Sequence, residues 1–374
     1  MEYEIVIGLE VHAELATQTK IFCNCTTQFG GDPNTHCCPV CLGFPGILPI
    51  LNQKVVEYGV KAGLALNCTI NPYSVMARKH YFYPDLPKAF QISQYDQPLC
   101  SGGYVEIGQG ENRKQVRLNR IHIEEDAGKL VHEGFMTKMD ANRCGVPLIE
   151  IVTEPDLRGA EEAKEFLETL RLTLLYMGVS DCRMEEGSMR CDVNISLRPL
   201  GQEEFGTRTE MKNLNSFRSV VRAIEYESAR QKKLLEQGQE IVQETLHWDD
   251  ATGMSSSMRS KEEANDYLYL PEPDILPVTV TEEEISAIKD TMPELPSVKK
   301  QKYAQAGLNE KEIDVLLANP VFNAFYEDVL AQNGNAKLCA NWVLGGISRI
   351  LNEKELDASA IPFRGSRFAA LMQM

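Results

Sequence analysis

Near its N-terminus the chain alternates strictly: Leu9, Val11, Ala13 and Leu15 are apolar, and Glu10, His12 and Glu14 between them are ionisable. A period of two puts the two sets on opposite faces of a β-strand, one turned to a core and one carrying charge. Two later runs, 189–197 and 207–213, repeat the pattern. In the first, Arg190, Asp192, Asn194 and Ser196 oppose Cys191, Val193, Ile195 and Leu197; in the second, Arg208, Glu210 and Lys212 line the matching face. The short polar connection between these runs predicts antiparallel neighbours. The rest of 1–155 reads mainly as short strands and turns, punctuated by Gly, Pro and Asn.

Helical spacing replaces this pattern after residue 155. Ala163, Leu167, Leu170, Leu174 and Met177 form one apolar stripe with Gly178 as its stop, and 217–237 predicts a long polar helix. Strand and loop return over 241–280, ending in Pro271, Pro273 and Pro277. Beyond Pro293 and Pro296 only helices are expected. Asn309 and Glu312 stand in capping-box spacing before Ile313, Leu316 and Leu317, and a further helix runs through Leu338, Trp342, Val343, Ile347, Ile350 and Leu351. The expectation is an α+β domain over 1–292, built on an antiparallel sheet, and an all-helical domain over 293–374. Residues 368–374 read as a helix that has begun without a cap, so this second domain is expected to be truncated.

Size agrees with two domains, since 374 residues exceed what one core usually serves. No apolar run approaches the roughly 18 to 20 residues that span a bilayer, and the N-terminus lacks the basic start of a signal peptide, so a cytoplasmic protein is expected. The formal net charge of −16, from 38 basic and 54 acidic side chains, argues against non-specific binding along a phosphate backbone. It leaves room for RNA contacts made through a local basic patch or supplied by a partner protein.

In a reducing compartment the eleven cysteines point to metal before disulfides. Cys23 and Cys25 form C-x-C, and Cys38 and Cys41 form C-x-x-C after a twelve-residue loop, with Cys37 adjacent as an alternative ligand. Four thiolates suit a tetrahedral zinc ion in a closed, structural site; a set of buried free cysteines is the plainer reading.

Carboxylates supply the second constellation. Glu124, Glu125 and Asp126 end the strand-like run before Gly128, and Glu150 interrupts the apolar ValProLeuIleGluIleVal. A buried carboxylate costs several kcal/mol unless a cation or hydrogen bonds compensate, so a metal or basic side chain is expected beside Glu150. Carboxylates with one or two imidazoles suit magnesium, with Arg and Lys neutralising phosphate. No glycine-rich phosphate cradle is present, so ATP, if bound, must be held by metal-bridged carboxylates on a sheet. The segment 78–89, ArgLysHisTyrPheTyrProAspLeuProLysAla, fits either a substrate loop or a packed surface turn.

The runs IleGlyLeuGluValHis at 7–12, LysHisTyrPheTyrProAsp at 79–85, GluGluAspAlaGlyLys at 124–129 and ProLeuIleGluIleValThrGluProAsp at 147–156 together resemble the B-subunit family of the aspartyl/glutamyl-tRNA(Asn/Gln) amidotransferases. GluGluGlySerMetArgCysAspValAsnIleSer at 185–196, LysAsnLeuAsnSerPhe at 212–217 and ProGluProAspIle at 271–275 extend the resemblance to about residues 3–350. It implies a cradle domain similar to the glutamine synthetase and guanidino-kinase fold, then a helical domain and a tail domain that this sequence does not reach. It further implies ATP-dependent phosphorylation of the side-chain carboxylate of Glu-tRNA(Gln) or Asp-tRNA(Asn). Ammonia from an amidase-type glutaminase, tied on by a small third component of a heterotrimer, would then displace the phosphate. Carried onto this chain, the resemblance makes His12, Glu125 and Glu150 ligands of a standing magnesium, and Glu10, Asp192 and Glu210 ligands of one arriving with ATP. Lys79 and Lys88 would lie near the exit of an ammonia channel, with Arg190 and Arg208 beside the ATP phosphates, and Cys23, Cys25, Cys38 and Cys41 would hold zinc near the acceptor end of tRNA. Leu268 and Leu270 stand where Arg and Phe are expected, and Cys37 is an extra thiol. The rival readings are a zinc-stabilised RNA-binding module without chemistry and a metal-dependent hydrolase.

Overall fold

The computed structural model describes residues 2–260 and 267–372. The chain divides into two compact units, Met1–Met292 and Pro293–Met374. The strands of the first unit begin with β1 (Tyr3–Glu14), β2 (Thr69–Ile70), β3 (Tyr73–Ser74), β4 (Ala77–His80), β5 (Phe90–Ser93), β6 (Cys100–Ser101), β7 (Tyr104–Ile107) and β8 (Lys114–Glu125). There follow β9 (Lys129–Glu133), β10 (Met136–Asp140), β11 (Pro147–Thr153), β12 (Met189–Pro199), β13 (Thr209–Leu214), β14 (Glu244–Asp249), β15 (Met254–Ser260), β16 (Leu268–Pro271) and β17 (Val278–Thr279). Helices α1 (Gln53–Ala65), α2 (Ala160–Tyr176), α3 (Phe217–Glu236) and α4 (Glu282–Asp290) complete this unit.

A ten-stranded sheet in the order β15-β14-β13-β12-β1-β11-β8-β6-β2, with β7 also on β8, forms its frame. Pairing is antiparallel except between β13 and β14, so the unit is α+β with a mainly antiparallel sheet. The alternation of β1 is realised: Leu9, Val11 and Ala13 are buried, and Val193, Ile195, Ile149, Ile151, Ile121 and Ile123 are buried on the flanking strands. Helices α1 and α3 pack on this sheet, against β8 and against β12 and β13, and α2 packs on α3 and β7. The predicted stripe of α2 is the buried one, with Ala163, Leu167, Leu170, Leu174 and Met177 enclosed and Gly178 at φ 64° closing the helix. A smaller sheet, β16-β4-β5, carries residues 77–80 and 90–93.

Helix α1 departs from the expected strand-and-turn character, and α4 lies between the stretch expected as strand and loop and the stretch expected as helix. Helix α1 is masked in the sequence by Gly59 and Gly63, which lower helix propensity by about 1 kcal/mol each. Both are dictated by packing, because a Cβ would stand 2.5 Å from Leu99 Cδ2 at Gly59 and 2.5 Å from Cys100 Sγ at Gly63. Helix α4 starts before the prolines, on a capping box made by Thr281 and Glu284.

The second unit is all helical: α5 (Pro296–Gln305), α6 (Glu310–Leu317), α7 (Pro320–Asn333), α8 (Ala336–Trp342), a π-helical turn Val343–Ser348, α9 (Arg349–Glu353) and α10 (Gly365–Met372). Asn309 and Glu312 form the expected capping box, and Ile313, Leu316 and Leu317 are buried behind it. The uncapped run expected over 368–374 lies in α10 as far as Met372, its last two positions falling outside the described residues.

Candidate active site and metal centres

Register turns the polar faces of five neighbouring strands into one surface. His12 of β1 lies opposite Glu150 of β11, and Glu150 lies opposite His122 of β8. On the other side of β1, Glu10 faces Asp192 and His12 faces Arg190 of β12, and Asn194 faces Glu210 of β13. Directly opposed residues of an antiparallel pair share a face, so these side chains collect above the middle of the sheet while the apolar set seals its back.

Two trios emerge. His12, Glu124 and Glu150 offer ligand atoms that lie within 4.8 Å of one another, and so do Glu10, Asp192 and Glu210. Octahedral magnesium with ligands near 2.1 Å separates its donors by about 3.0 to 4.2 Å, so both sets can close on an ion with small adjustments. In the first trio Glu124 stands with His12 and Glu150, at the place where the resemblance implies Glu125. Successive strand residues point to opposite faces, and the face of Glu124 is that of His122 and Glu150. Glu125 is committed elsewhere: Oε2 accepts from Lys88 Nζ at 2.5 Å and Oε1 from the Ile92 amide at 2.8 Å.

The first trio is knit by imidazoles. His12 Nε2 stands 3.4 Å from Glu124 Oε1 and 3.6 Å from Glu150 Oε2, and the buried His122 Nε2 lies 3.1 Å from Glu150 Oε2. Burial opposes charge on His122, but Glu150 and Glu124 outweigh it and push its pKa up to about 9. Burial likewise acts to raise Glu150, yet His122, His12 and Lys79 hold it well below the usual carboxylate range. His122 is not among the residues expected here, although its alternation with Glu124 in β8 places it on this face. Lys79 lies near the same carboxylates, its Nζ 4.7 Å from the Tyr267 ring centre, and its pKa is raised because Tyr269, Glu124 and Glu150 outweigh burial.

In the second trio, burial and the neighbouring Glu150 raise the pKa of Glu10, which accepts a hydrogen bond from Asn194 Nδ2 at 2.9 Å. Burial would do the same to Glu210, but Lys212 and the Thr245 hydroxyl, 2.9 Å away, keep it low. Lys212 Nζ donates to Asp192 Oδ2 at 2.5 Å and to Glu210 Oε1 at 2.9 Å. Beside Glu10 opens a cavity of about 240 Å³ whose walls include Gly8, Thr153, Asn194, Phe205 and Arg208. Arg190 sits at the other end of the face, its Nη1 3.0 Å from Asp126 Oδ2.

The cysteines converge as well. Cys23, Cys25, Cys38 and Cys41 bring their sulfurs within 4.8 Å of one another, with Cys38 and Cys41 4.0 Å apart. Sulfurs bound tetrahedrally at 2.3 Å from zinc stand about 3.8 Å apart, so the geometry fits a four-thiolate site that could bind a metal ion. The geometry selects Cys38, since the thiol of Cys37 turns away to donate to the Asn34 carbonyl at 3.2 Å. Lys20 is buried behind the cluster with its Nζ 3.8 Å from Cys41 Sγ. A cavity of about 180 Å³ adjoins these sulfurs and reaches the Lys88–Glu125 pair and the bidentate Arg78–Glu272 pair. Lys79 and Lys88 therefore serve different surroundings: Lys79 the carboxylate face, Lys88 this cavity.

An α+β domain that arrays carboxylates in metal-ligand geometry over an antiparallel sheet is the class these features define. The sequence matches the GatB/GatE catalytic domain over residues 5–286. It is 57% identical to the B subunit of the aspartyl/glutamyl-tRNA(Asn/Gln) amidotransferase of Caldicellulosiruptor saccharolyticus, covering all of this chain and 79% of that protein. With the B subunits of Caldicellulosiruptor bescii and Ruminiclostridium cellulolyticum it shares 59% and 53% identity, over 96% and 100% of this chain and 76% and 78% of theirs. The chain belongs to the B-subunit family of the aspartyl/glutamyl-tRNA(Asn/Gln) amidotransferases. Among the described residues no helix is long and apolar enough to cross a membrane.

Proposed function

We propose that this chain is the carboxylate-activating component of a glutamine-hydrolysing carbon–nitrogen ligase that makes Gln-tRNA(Gln) or Asn-tRNA(Asn) from the misacylated precursor. The cradle formed by its sheet, similar in this reading to the glutamine synthetase and guanidino-kinase fold, carries a two-step reaction. ATP phosphorylates the side-chain carboxylate of the glutamyl or aspartyl group, and ammonia then attacks the acyl phosphate and expels phosphate. The ammonia reaches this chain from an amidase-type partner, joined through a small third protein, in the cytoplasm.

The observation that carries this reading is the pair of trios on one sheet face. His12, Glu124 and Glu150 would hold one magnesium and Glu10, Asp192 and Glu210 another, the two trios adjoining at Glu10 and His12, two residues apart on β1. Bound there, the ions would neutralise the phosphates at the transferring group. The cavity beside Glu10 suits a nucleoside, with Arg208 at its wall and Phe205 for the base to rest on. Arg190 and Lys79 supply fixed positive charge at the end of the face where the acceptor carboxylate would enter. Zinc held by the four cysteines would be structural, as no position on it is left open.

An RNA-binding module without chemistry would account for the cysteines and leave the carboxylate face unexplained. The reading is tested by ATP hydrolysis in the assembled complex with each misacylated tRNA. Hydrolysis is expected to rise severalfold with the cognate Glu-tRNA or Asp-tRNA and to vanish in Asp192→Ala. Turnover indifferent to tRNA, or amidation surviving in Asp192→Ala, would refute it.

A further inference from the structure

Lys212 holds a position that the phosphoryl-transfer reading leaves unused. It follows Glu210 by two residues on β13 and so projects to the same face. Its Nζ rests on Asp192 Oδ2 at 2.5 Å and Glu210 Oε1 at 2.9 Å, so a single ammonium engages two of the three carboxylates in the second trio. The contacts are held in place from both sides. Thr245 Oγ1 donates to the other oxygen of Glu210, and Asn194 Nδ2 donates to Glu10, fixing the carboxylates around the ammonium.

The first trio is built differently. The imidazoles of His12 and His122 stand against Glu124 and Glu150, Lys79 lies near them but beyond ion-pair distance, and among the described residues neither carboxylate is ion-paired to a lysine or arginine. A ring nitrogen of His12 has a lone pair to offer, so a divalent cation entering there can take this neighbour as a ligand. An ammonium has no lone pair to offer while charged. A divalent cation entering the second trio must drive Lys212 off Asp192 and Glu210 and then bear its repulsion at a few ångströms.

We propose that Lys212 is a built-in counter-cation of the second trio, which yields Asp192 and Glu210 to a divalent cation only when nucleotide phosphates are present to receive its ammonium. This rests on the reading of the face as an ATP site. It gives a physical cause for metal binding there in company with nucleotide, while the first trio can bind metal alone. Because the coupling is thermodynamic it is reciprocal: nucleotide tightens metal at the second trio by the same factor as metal tightens nucleotide. Lys212 is a positioning and selectivity residue, and its removal should shrink that factor.

The test is Mn²⁺ titration of the purified, zinc-loaded chain, followed by the electron paramagnetic resonance signal of free Mn²⁺, with and without a non-hydrolysable ATP analogue. The wild-type chain is expected to take up one tight Mn²⁺ alone and a second only with the analogue. Lys212→Met should bind the second Mn²⁺ without nucleotide, about tenfold or more tightly than the wild type does. It should also bind the analogue about tenfold more weakly, because a charge-assisted phosphate contact is lost. Lys212→Arg should restore nucleotide dependence. If the wild type takes up no second Mn²⁺ even with the analogue, the ATP-site reading itself fails. If the wild type behaves as expected but Lys212→Met shows the same nucleotide dependence, the counter-cation is refuted. It is equally refuted if Lys212→Met, melting at the wild-type temperature, binds no second Mn²⁺ under either condition.

Discussion

Glu124 and Glu125 are neighbours in sequence with opposite surroundings, and the difference is the alternation of a single strand. Glu124 shares its face with His122 and Glu150, while Glu125 is buried in a pair with Lys88 on the other side. Glu124→Gln should therefore weaken Mn²⁺ or Mg²⁺ binding at the first trio by at least about tenfold. Glu125→Gln should leave that affinity unchanged and lower stability by about 2 kcal/mol, because Lys88 loses its charged partner. Metal titration and denaturant melts of both variants decide the matter, and the reverse pattern would reinstate Glu125 as the ligand. The sequence motif contains both residues, and the family resemblance points to Glu125 where the geometry brings Glu124. Alternation alone sets Glu125 with Ile121 and Ile123, and the pairing of β8 with β11 adds that Glu124 shares the face of His122 and Glu150.

His122 sets a pH dependence of the metal-free chain. Its folded pKa, about 9, lies above the ordinary 6.5, so its stabilisation is complete below pH 6.5 and is lost as pH rises through 9. Glu14 acts in the same sense at lower pH: burial and Asp126 raise its carboxyl from 4.5 to about 8, so its contribution is lost between those values. Stability, followed by the melting temperature, should fall between pH 6.5 and 9.5, with about 3 kcal/mol of the loss attributable to His122. His122→Gln should lose that part of the fall, and an unchanged fall in the variant would show that His122 is not its source.

At the scale of elements, what is legible in the sequence is whatever a local period controls. The alternation of β1, β12 and β13 and the stripe of α2 are visible residue by residue because each buries one face. Helix α1 is not visible, since close packing on Leu99 and Cys100 demands the glycines that weaken its own signal. Pairing order and register are not local properties either, and it is register that gathers residues from β1, β8, β11, β12 and β13 into two trios. The cysteine element lies between these cases: spacing indicates a metal, but Cys37 and Cys38 are equivalent until the loop conformation turns Cys37 toward the Asn34 carbonyl. Cys38→Ser should thus lose bound zinc and melt several degrees lower, whereas Cys37→Ser should keep full zinc content by chromophoric chelator assay. Zinc lost from Cys37→Ser and kept in Cys38→Ser would invert the assignment.

At the scale of the whole molecule, the strongly acidic composition and the proposed chemistry are parts of one problem. A chain of net charge −16 that is to handle ATP and tRNA has to gather cations where phosphate will sit. In the proposed reading the sheet does this by ranging its carboxylates to hold divalent ions and setting Arg190, Lys79 and Lys212 among them, while the apolar reverse face and its helices keep the platform rigid. Crystals of the chain grown with Mn²⁺ and a non-hydrolysable ATP analogue test this most directly through anomalous scattering at the manganese edge. Two peaks are expected, one contacted by His12, Glu124 and Glu150 and the other by Glu10, Asp192 and Glu210, with the analogue's phosphates touching the second. Nucleotide bound away from this face, or manganese absent from both trios, would contradict the account.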